Sequence, residues 1–549
     1  MNKKILLLAL WPLAAVSTHA AEVPGGGIDA KALSEHVRVL ASDAFEGRAP
    51  ATPGEDKTIA YLSEEFHKAG LSPGGDDGGW TQAVPLVRTQ VVGPATASLM
   101  MDGQTRALRN GEDITLQSLQ PVQQVSVEAA PLVFVGYGID APERGWDDYK
   151  GIDLAGKIMV VLVNDPDFET PQPGAFDGRG MTYYGRWTYK FEEAGRQGAA
   201  GVLIVHETAP AAYGWATVRA SGLSPVFDIE REDAMAHHVP LRGWLHRDVA
   251  VALFEQAGLD FEEQKRKAQL TDFRPVALGD ATLSADFALE HERVVTRNVV
   301  GKLTGSTFPD ETVIYSGHWD AFGLGEPDAK GDPVRRGAID NATAVAALIE
   351  LGRVFAAGPR PQRSLLFIAL TAEEKGLLGA SHYAAHPLVP LESTAAVLNI
   401  EMLSPDGPTR DIATWGNGRV SLEQDLSNVA EARGRYWSPD PNPEAGFFYR
   451  ADHFAFARAG VPAITVGAGL DRLEGGIESG KALREAYFAN CYHQPCDAWS
   501  ESWNTEGQAQ DVTLLYDLGA QLANSRQWPQ WQEGSEFKAV RDSSAASRP

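Results

Sequence analysis

The stretch SLLFIALTAEEKGLLGASHYAAH, residues 364–386, decides the fold of this chain. It opens with a near-continuous apolar run, Ser364 to Leu370, turns through TAEE, and continues as a helix-like segment, LLGASHYAAH. An apolar strand feeding directly into a helix is the unit of a mostly parallel sheet buried on both faces. Its neighbours repeat the unit. VVGKL, TVIYSG, AVLNIEM and PAITVGA read as strands, while NATAVAALIELGRVF, SLEQDLSNVAEARG and DVTLLYDLGAQLAN read as helices. Residues 276–527 are therefore expected to form an α/β domain.

The same stretch poses a chemical question, because Glu373 and Glu374 stand side by side at the edge of the core. Acidic residues at a helix N-terminus are favoured by the helix dipole, and that alone would account for the pair. It does not account for what the other strands deliver. Ligands of open α/β sheets gather at the carboxyl ends of the strands. There VIYSG ends in HWD, giving His318 and Asp320, and AVLNI ends in Glu401. RRGAIDNATAV places Asp340 in the turn that opens a helix, and YHQPCD brings His493 from a late loop. A lone His or Asp at a strand end is ordinarily a loop or capping residue. Five carboxylates and two imidazoles on one sheet edge would repel ionisation of one another unless a cation neutralised them. Mixed imidazole and carboxylate ligation suits zinc best, with manganese or cobalt as alternatives.

SGHWD, GAIDNATAVAALIELGR, FIALTAEEKGLLGASHYAAHP, NIEM, RADHFAFARAGVPAI and YHQPCD, in this order, resemble the di-zinc exopeptidases that include secreted bacterial leucyl aminopeptidases and glutamate carboxypeptidases. The resemblance covers most of residues 290–525, with a looser match at LASDAFEGRAPATPGEDKTIAYL. It implies a zinc-exopeptidase-like α/β/α sandwich with a mostly parallel mixed sheet. FVGYGI, DLAGKIMVV and GAAGVLIVHE look like the smaller, β-rich protease-associated domain that interrupts this fold in many members. The resemblance further implies two zinc ions bridged by Asp340, with His318 and Glu401 completing one site and Glu374 and His493 the other. Where the family has Asp, this chain has Glu401. Asp320 would accept a hydrogen bond from the far nitrogen of His318. Glu373 would be the general base and acid for a metal-activated water, and Tyr492 a donor to the developing oxyanion. The implied activity is removal of N-terminal residues from peptides. A carboxypeptidase or dipeptidase on the same scaffold would need a cation for the substrate's terminal carboxylate, and Arg450 is the candidate. Glutaminyl cyclase chemistry needs one metal and fits the full ligand set less well, and a metal-free receptor conflicts with every ligand position being metal-competent.

Other residues read differently. Asp452 resembles a family element near the substrate cleft and is a tentative substrate contact, as is Arg450; Arg335 and Arg336 are either carboxylate contacts or solvated charges. His382, His386 and His453 lie on helical stretches and read as structural.

At chain level, 549 residues exceed one ordinary core. The expected divisions are a signal peptide at 1–20, an N-terminal part of the catalytic domain at 21–128, the insert at 129–275, the catalytic domain at 276–527 and a polar tail at 528–549, surface-hugging and then disordered. Acidic residues number 73 against 48 basic, a net charge of −25, which argues against nucleic acid and anionic membranes as partners. MNKKILLLALWPLAAVSTHAAEV has the two lysines, apolar run and small residues of a secretory signal, cleaved after Ala20 or Ala21. Export to the periplasm or the medium, without a stable membrane anchor, is expected. The two cysteines, Cys491 and Cys496, are a candidate disulfide in such a compartment, with free thiols near a metal as the alternative. Peptides are the expected partners, and the sequence assigns no oligomeric state.

Overall fold

A computed structural model describes residues 27–171, 176–416 and 418–548. The expected signal peptide lies outside the described residues. The stretch that opened the sequence reading forms the strand Arg363–Leu370 and, after a sharp turn, the helix Leu378–Ala385. Every residue of that strand is buried, as expected for a strand covered on both faces. Alternate residues split between two apolar clusters. Leu365, Phe367 and Ala369 join the larger core with the helices Ala30–Leu40, Thr343–Ala357 and Glu506–Ala523. Leu366, Ile368 and Leu370 face the helices Leu378–Ala385 and His453–Arg458 on the other side. This period of two is what makes an α/β/α sandwich from a strand with no polar face.

Outside the insert the sheet runs Val276–Leu303, Arg363–Leu370, Phe308–His318, Thr394–Ile400, Ala463–Ala468, Asp411–Thr414 and Tyr436–Ser438. Phe308–His318 pairs in parallel with both Arg363–Leu370 and Thr394–Ile400, which in turn pairs in parallel with Ala463–Ala468. Val276–Leu303 and Asp411–Thr414 are antiparallel to their neighbours, so the sheet is mixed. Among the described residues no helix is long and apolar enough to cross a membrane.

The insert differs from its sequence reading in two respects. It was expected to be β-rich, yet the helices Arg247–Gln256 and Phe261–Ala268 join Trp187–Arg196 in packing around its four parallel strands, Gln124–Phe134, Ile158–Leu162, Gly201–His206 and Leu241–His246. The helical signal was present: Val249, Ala250, Leu253 and Phe254 are buried at helical spacing in RDVAVALFEQ. Its apolar core also draws on residues from Ala97 to Leu289, beyond the expected limits of 129 and 275. The cause is a long ribbon. Thr81–Met101 pairs antiparallel with Val276–Leu303 from Thr81 opposite Val299 to Met100 opposite Thr282. One end of Val276–Leu303 then pairs with Gln124–Phe134 of the insert and the other with Arg363–Leu370. One continuous sheet of fifteen strands results, and a boundary drawn where composition changes cuts through it.

The tail also departs from expectation. Trp531 and Phe537 are buried in the larger core, and Lys538–Ser543 is helical. Arg541, 2% exposed, donates to the Thr394 carbonyl at 3.1 Å. Two aromatic anchors spaced through a polar sequence suffice to fix such a segment.

Candidate metal centre

The carboxyl ends of three strands and two loops meet above the sheet. His318 closes Phe308–His318, Glu401 follows Thr394–Ile400, and Glu373 and Glu374 follow Arg363–Leu370. Regular strand geometry would send adjacent side chains to opposite faces. The chain avoids this at Ala372, whose φ of 52° and ψ of 35° turn it into the short helical turn Glu373–Lys375. Gly379 lets the next helix close down, since a Cβ there would stand 2.3 Å from the Thr371 carbonyl oxygen.

His318, Asp340 and Glu401 form one group of ligand atoms within 4.8 Å of one another, and Asp340, Glu374 and His493 form a second. His318, Glu373 and Glu374 make a third such group. Asp340 belongs to the first two. Its Oδ1 lies 3.3 Å from His318 Nε2, and its Oδ2 lies 3.2 Å from His493 Nε2. Glu401 Oε1 is 2.9 Å from His318 Nε2 and accepts from Asn341 Nδ2 at 2.7 Å, while Oε2 accepts from Asn399 Nδ2 at 3.3 Å. The longer Glu side chain is thus held by two amides.

The donor set fits a cation. His493 Nε2 is 3.4 Å from Glu374 Oε2, yet His493 Nε2 and Glu374 Oε1 are shielded from water without a hydrogen-bond partner among the described residues. Buried polar atoms this close without hydrogen-bond geometry are what a shared metal would satisfy. The electrostatics agree. Burial raises the Glu373 carboxyl well above its ordinary value, against the pull of His318, and burial together with Asp340 and Glu373 does the same to Glu374. Asp340 is an exception: despite its burial, the neighbouring imidazoles of His318 and His493 hold it below the usual carboxylate range.

Asp320 takes a different role from the one expected. His318 Nδ1 faces the backbone carbonyl of Asp320 at 3.0 Å, whereas the nearer carboxylate oxygen is 3.6 Å away, beyond hydrogen-bond range. The Asp320 carboxylate instead accepts the backbone N–H groups of Glu373 and Glu374, at 3.0 and 3.3 Å. It fixes the turn that aims those two side chains. Asp452 is also corrected. It is 0% exposed, so it offers nothing to a substrate in the cleft, and among the described residues neither carboxylate oxygen has a hydrogen-bond partner. Burial raises its pKa well above the ordinary value. Arg336 is tied to Asp43 and Asp332, and Arg335 donates to the Glu326 carbonyl, so this pair organises loops. His453 is buried and bonded to Thr465 through Nδ1 at 2.5 Å, and His382 and His386 stack on each other at 4.7 Å.

Tyr492 stacks on His493 with ring centroids 3.6 Å apart. Burial and the nearby Asp340 raise its pKa, so the phenol keeps its proton. Cys491 and Cys496 are joined in a disulfide that encloses Tyr492 and His493. Opening so short a loop by Cys496→Ser is expected to cost about 2 kcal/mol of stability. It should also loosen zinc at His493, measured by competition with a chelator; unchanged zinc retention would show that the disulfide does not hold the ligand.

Sequence reasoning missed three supports. Asp497 accepts the N–H groups of Ile339 and Asp340 at 2.8 and 3.1 Å, and Tyr487 donates to it at 3.1 Å. Asn341 and Asn399 hold Glu401, as described. Arg48 is fully buried and donates to the carbonyls of Leu40, Trp319, Arg336 and Gly337 at 2.6–2.8 Å. Asp497 and Arg48 act through backbone partners, and Asn341 and Asn399 through the Glu401 carboxylate, contacts that sequence does not display.

Comparison with known proteins adds four findings. A "probable zinc metalloprotease" of Pyrenophora tritici-repentis is 27% identical over 261 residues, covering 44% of this chain and 54% of that protein. A "probable glutamate carboxypeptidase" of Arthroderma benhamiae is 30% identical over 188 residues, 32% of this chain and 24% of that one. The chain thus spans about half the length of the first relative and less of the second. The solved aminopeptidase from Aneurinibacillus sp. strain AM-1 shares the fold, with a TM-score of 0.50 at 18% identity over 91% of this chain and 95% of that one. The segment that supplies every one of the clustered ligands, residues 298–516, matches peptidase family M28.

Proposed function

We propose that the protein is a zinc-dependent exopeptidase that removes N-terminal residues from peptides, and that Asp340 would be a ligand shared by two zinc ions. The observation that carries this reading is the shared Asp340, whose two oxygens face His318 on one side and His493 on the other. His318 and Glu401 would hold one ion, and Glu374 and His493 the other. When bound, such ions polarise a carbonyl and lower the pKa of water.

The chain's own groups do the rest. Glu373 as the carboxylate takes the proton of the attacking water and, as the acid that its buried site favours, hands it to the departing amine. The new bond joins the water oxygen to the scissile carbon, and the C–N bond breaks as the nitrogen is protonated. Tyr492, neutral and stacked beside His493, donates to the carbonyl oxygen as charge develops. Asp320 keeps both glutamates aimed through their backbone N–H groups. Beside the ligands, Ile339, Met402, Trp415, Leu483 and Phe488 line a mainly apolar pocket suited to one side chain.

The test compares free-amine aminoacyl reporters with N-blocked, C-terminally free peptides, with and without a chelator. The reading expects hydrolysis of the first, little of the second, and loss of both with chelator. Faster turnover of the N-blocked peptides would replace it with a carboxypeptidase. We also infer that the insert is a protease-associated domain, supported by FVGYGI at the end of one of its parallel strands and GAAGVLIVHE across another. Export is supported by the N-terminal pattern and by the disulfide, which persists in oxidising compartments. Terminal sequencing of the mature protein should begin after Ala20 or Ala21.

A further inference from the structure

One buried row of the sheet is polar where the row beneath it is not. The register sets Ser316 opposite Asn399 and Asn399 opposite Thr465, on three adjacent parallel strands. Two residues earlier the same strands set Ile314 opposite Val397 and Val397 opposite Ala463, an apolar row packed under the helices Leu378–Ala385 and His453–Arg458. The polar row is no less enclosed, since Ser316, Asn399 and Thr465 are all fully buried. Hydroxyls and an amide at this depth are unfavourable beside aliphatic side chains unless each is hydrogen-bonded.

Each is, and the bonds lead to a candidate ligand. Ser316 Oγ donates to Asn399 Oδ1 at 2.8 Å. Asn399 Nδ2 then has both hydrogens free, one for Thr465 Oγ1 at 3.2 Å and one for Glu401 Oε2 at 3.3 Å. Turning the amide over would set its oxygen against the Glu401 carboxylate, so a single orientation serves. Thr465 is held in turn by His453 Nδ1 at 2.5 Å, from the covering helix. Burial lowers His453 to about 3, so this ring stays neutral. The row therefore ends on one oxygen of Glu401. The other, Oε1, is left with Asn341 and His318, in the ligand group that includes Asp340. A Glu here has one more rotatable bond than an Asp would, and the row takes up that freedom.

We propose that Asn399, clamped between Ser316 and Thr465, is a positioning residue that withholds Glu401 Oε2 from a bound ion, so that this carboxylate presents one oxygen and the His318 site favours zinc over manganese. The proposal rests on the metal-centre reading and deepens it. Zinc is satisfied by few ligands, whereas manganese prefers a fuller shell of oxygens. Without the amide, Oε2 is free to turn beside Oε1, which helps manganese and loosens the arrangement that suits zinc.

The test titrates zinc and manganese separately into the metal-free full chain against a chelating indicator, for the parent and three variants. Asn399→Leu keeps the volume and removes both N–H bonds; it is expected to weaken zinc by about ten- to hundredfold and to lower the zinc-to-manganese affinity ratio by at least about tenfold. Thr465→Val unclamps the amide without touching it and should move the ratio the same way by less. Thr465→Ser keeps the hydroxyl and should match the parent. Melting curves of the metal-free proteins report any general loosening, which would weaken both ions together and leave the ratio where it was. An unchanged ratio in Asn399→Leu, or in Thr465→Val should the first variant fail to fold, overturns the proposal while zinc binding by the parent stands. Equal shifts in Thr465→Val and Thr465→Ser overturn it too, because the hydroxyl would then be immaterial. A parent that binds neither ion removes the metal centre itself, and the proposal with it.

Discussion

Glu373→Gln is expected to keep its fold and its zinc and to lose about 10²- to 10⁴-fold in kcat. Position separates Glu373 from its neighbour. Glu374 Oε2 lies 3.4 Å from His493 Nε2 and belongs with Asp340 and His493, whereas Glu373 Oε2 stands 3.9 Å from His318, farther from that imidazole than either Asp340 or Glu401. The amide of Gln preserves the shape and leaves intact the backbone bonds to Asp320, which involve no side-chain atom of residue 373. What it removes is a group that can take and return a proton. Zinc content by elemental analysis, a melting curve and kcat on an aminoacyl reporter distinguish the outcomes. Glu374→Gln is the contrast: it should lower zinc retention first and activity as a consequence. If Glu373→Gln turns over within tenfold of the parent, the proton is carried by some other group.

Much of this arrangement was legible in sequence because strand ends announce themselves. An apolar run that stops at HWD, TAEE or NIE names both the strand and the residue it delivers, and the sheet brings those ends together whatever the details. What sequence did not display was held by backbone groups. Asp320 beside His318 invites the assignment of a side-chain hydrogen bond, but one left-handed residue, Ala372, brings the Glu373 and Glu374 amides into its reach instead. Asp452 lies next to a histidine in a matched motif, and only the packing of Phe448 and Thr465 against His453 shows how deep that segment lies. The ribbon Thr81–Met101 was invisible for another reason. Its buried residues alternate imperfectly over twenty-one positions, so no window carries a strong strand signal, and its partner lies nearly two hundred residues away.

Arg48→Met should be the most damaging single change outside the ligand set, lowering the unfolding free energy by more than about 4 kcal/mol. Its guanidinium holds four carbonyls on three segments: Leu40 at the end of the first helix, Trp319 beside His318, and Arg336 with Gly337 just before Asp340. Removing it leaves buried acceptors unpaired at about 1–3 kcal/mol each, and water entering the gap recovers only part of that. Few chains of this kind have more than about 5–15 kcal/mol to lose. The neighbourhood allows little relaxation. A Cβ on Gly47, at φ +68°, would lie 2.4 Å from the Arg335 carbonyl oxygen, so the turn bearing Arg48 is already pressed against the loop it tethers. The charge matters as well, since Asp497, Asp320, Asp340 and Glu374 all favour the cationic form that burial opposes. Two measurements separate the effects: urea unfolding reports the lost hydrogen bonds, and zinc affinity by chelator competition reports the displacement of the His318 and Asp340 loops. Arg48→Lys retains the charge but not the planar fork, and should therefore recover less stability than its charge alone would suggest. Loss of under about 1 kcal/mol in Arg48→Met, with zinc affinity unchanged, would mean that the two ligand loops hold their positions without the tether.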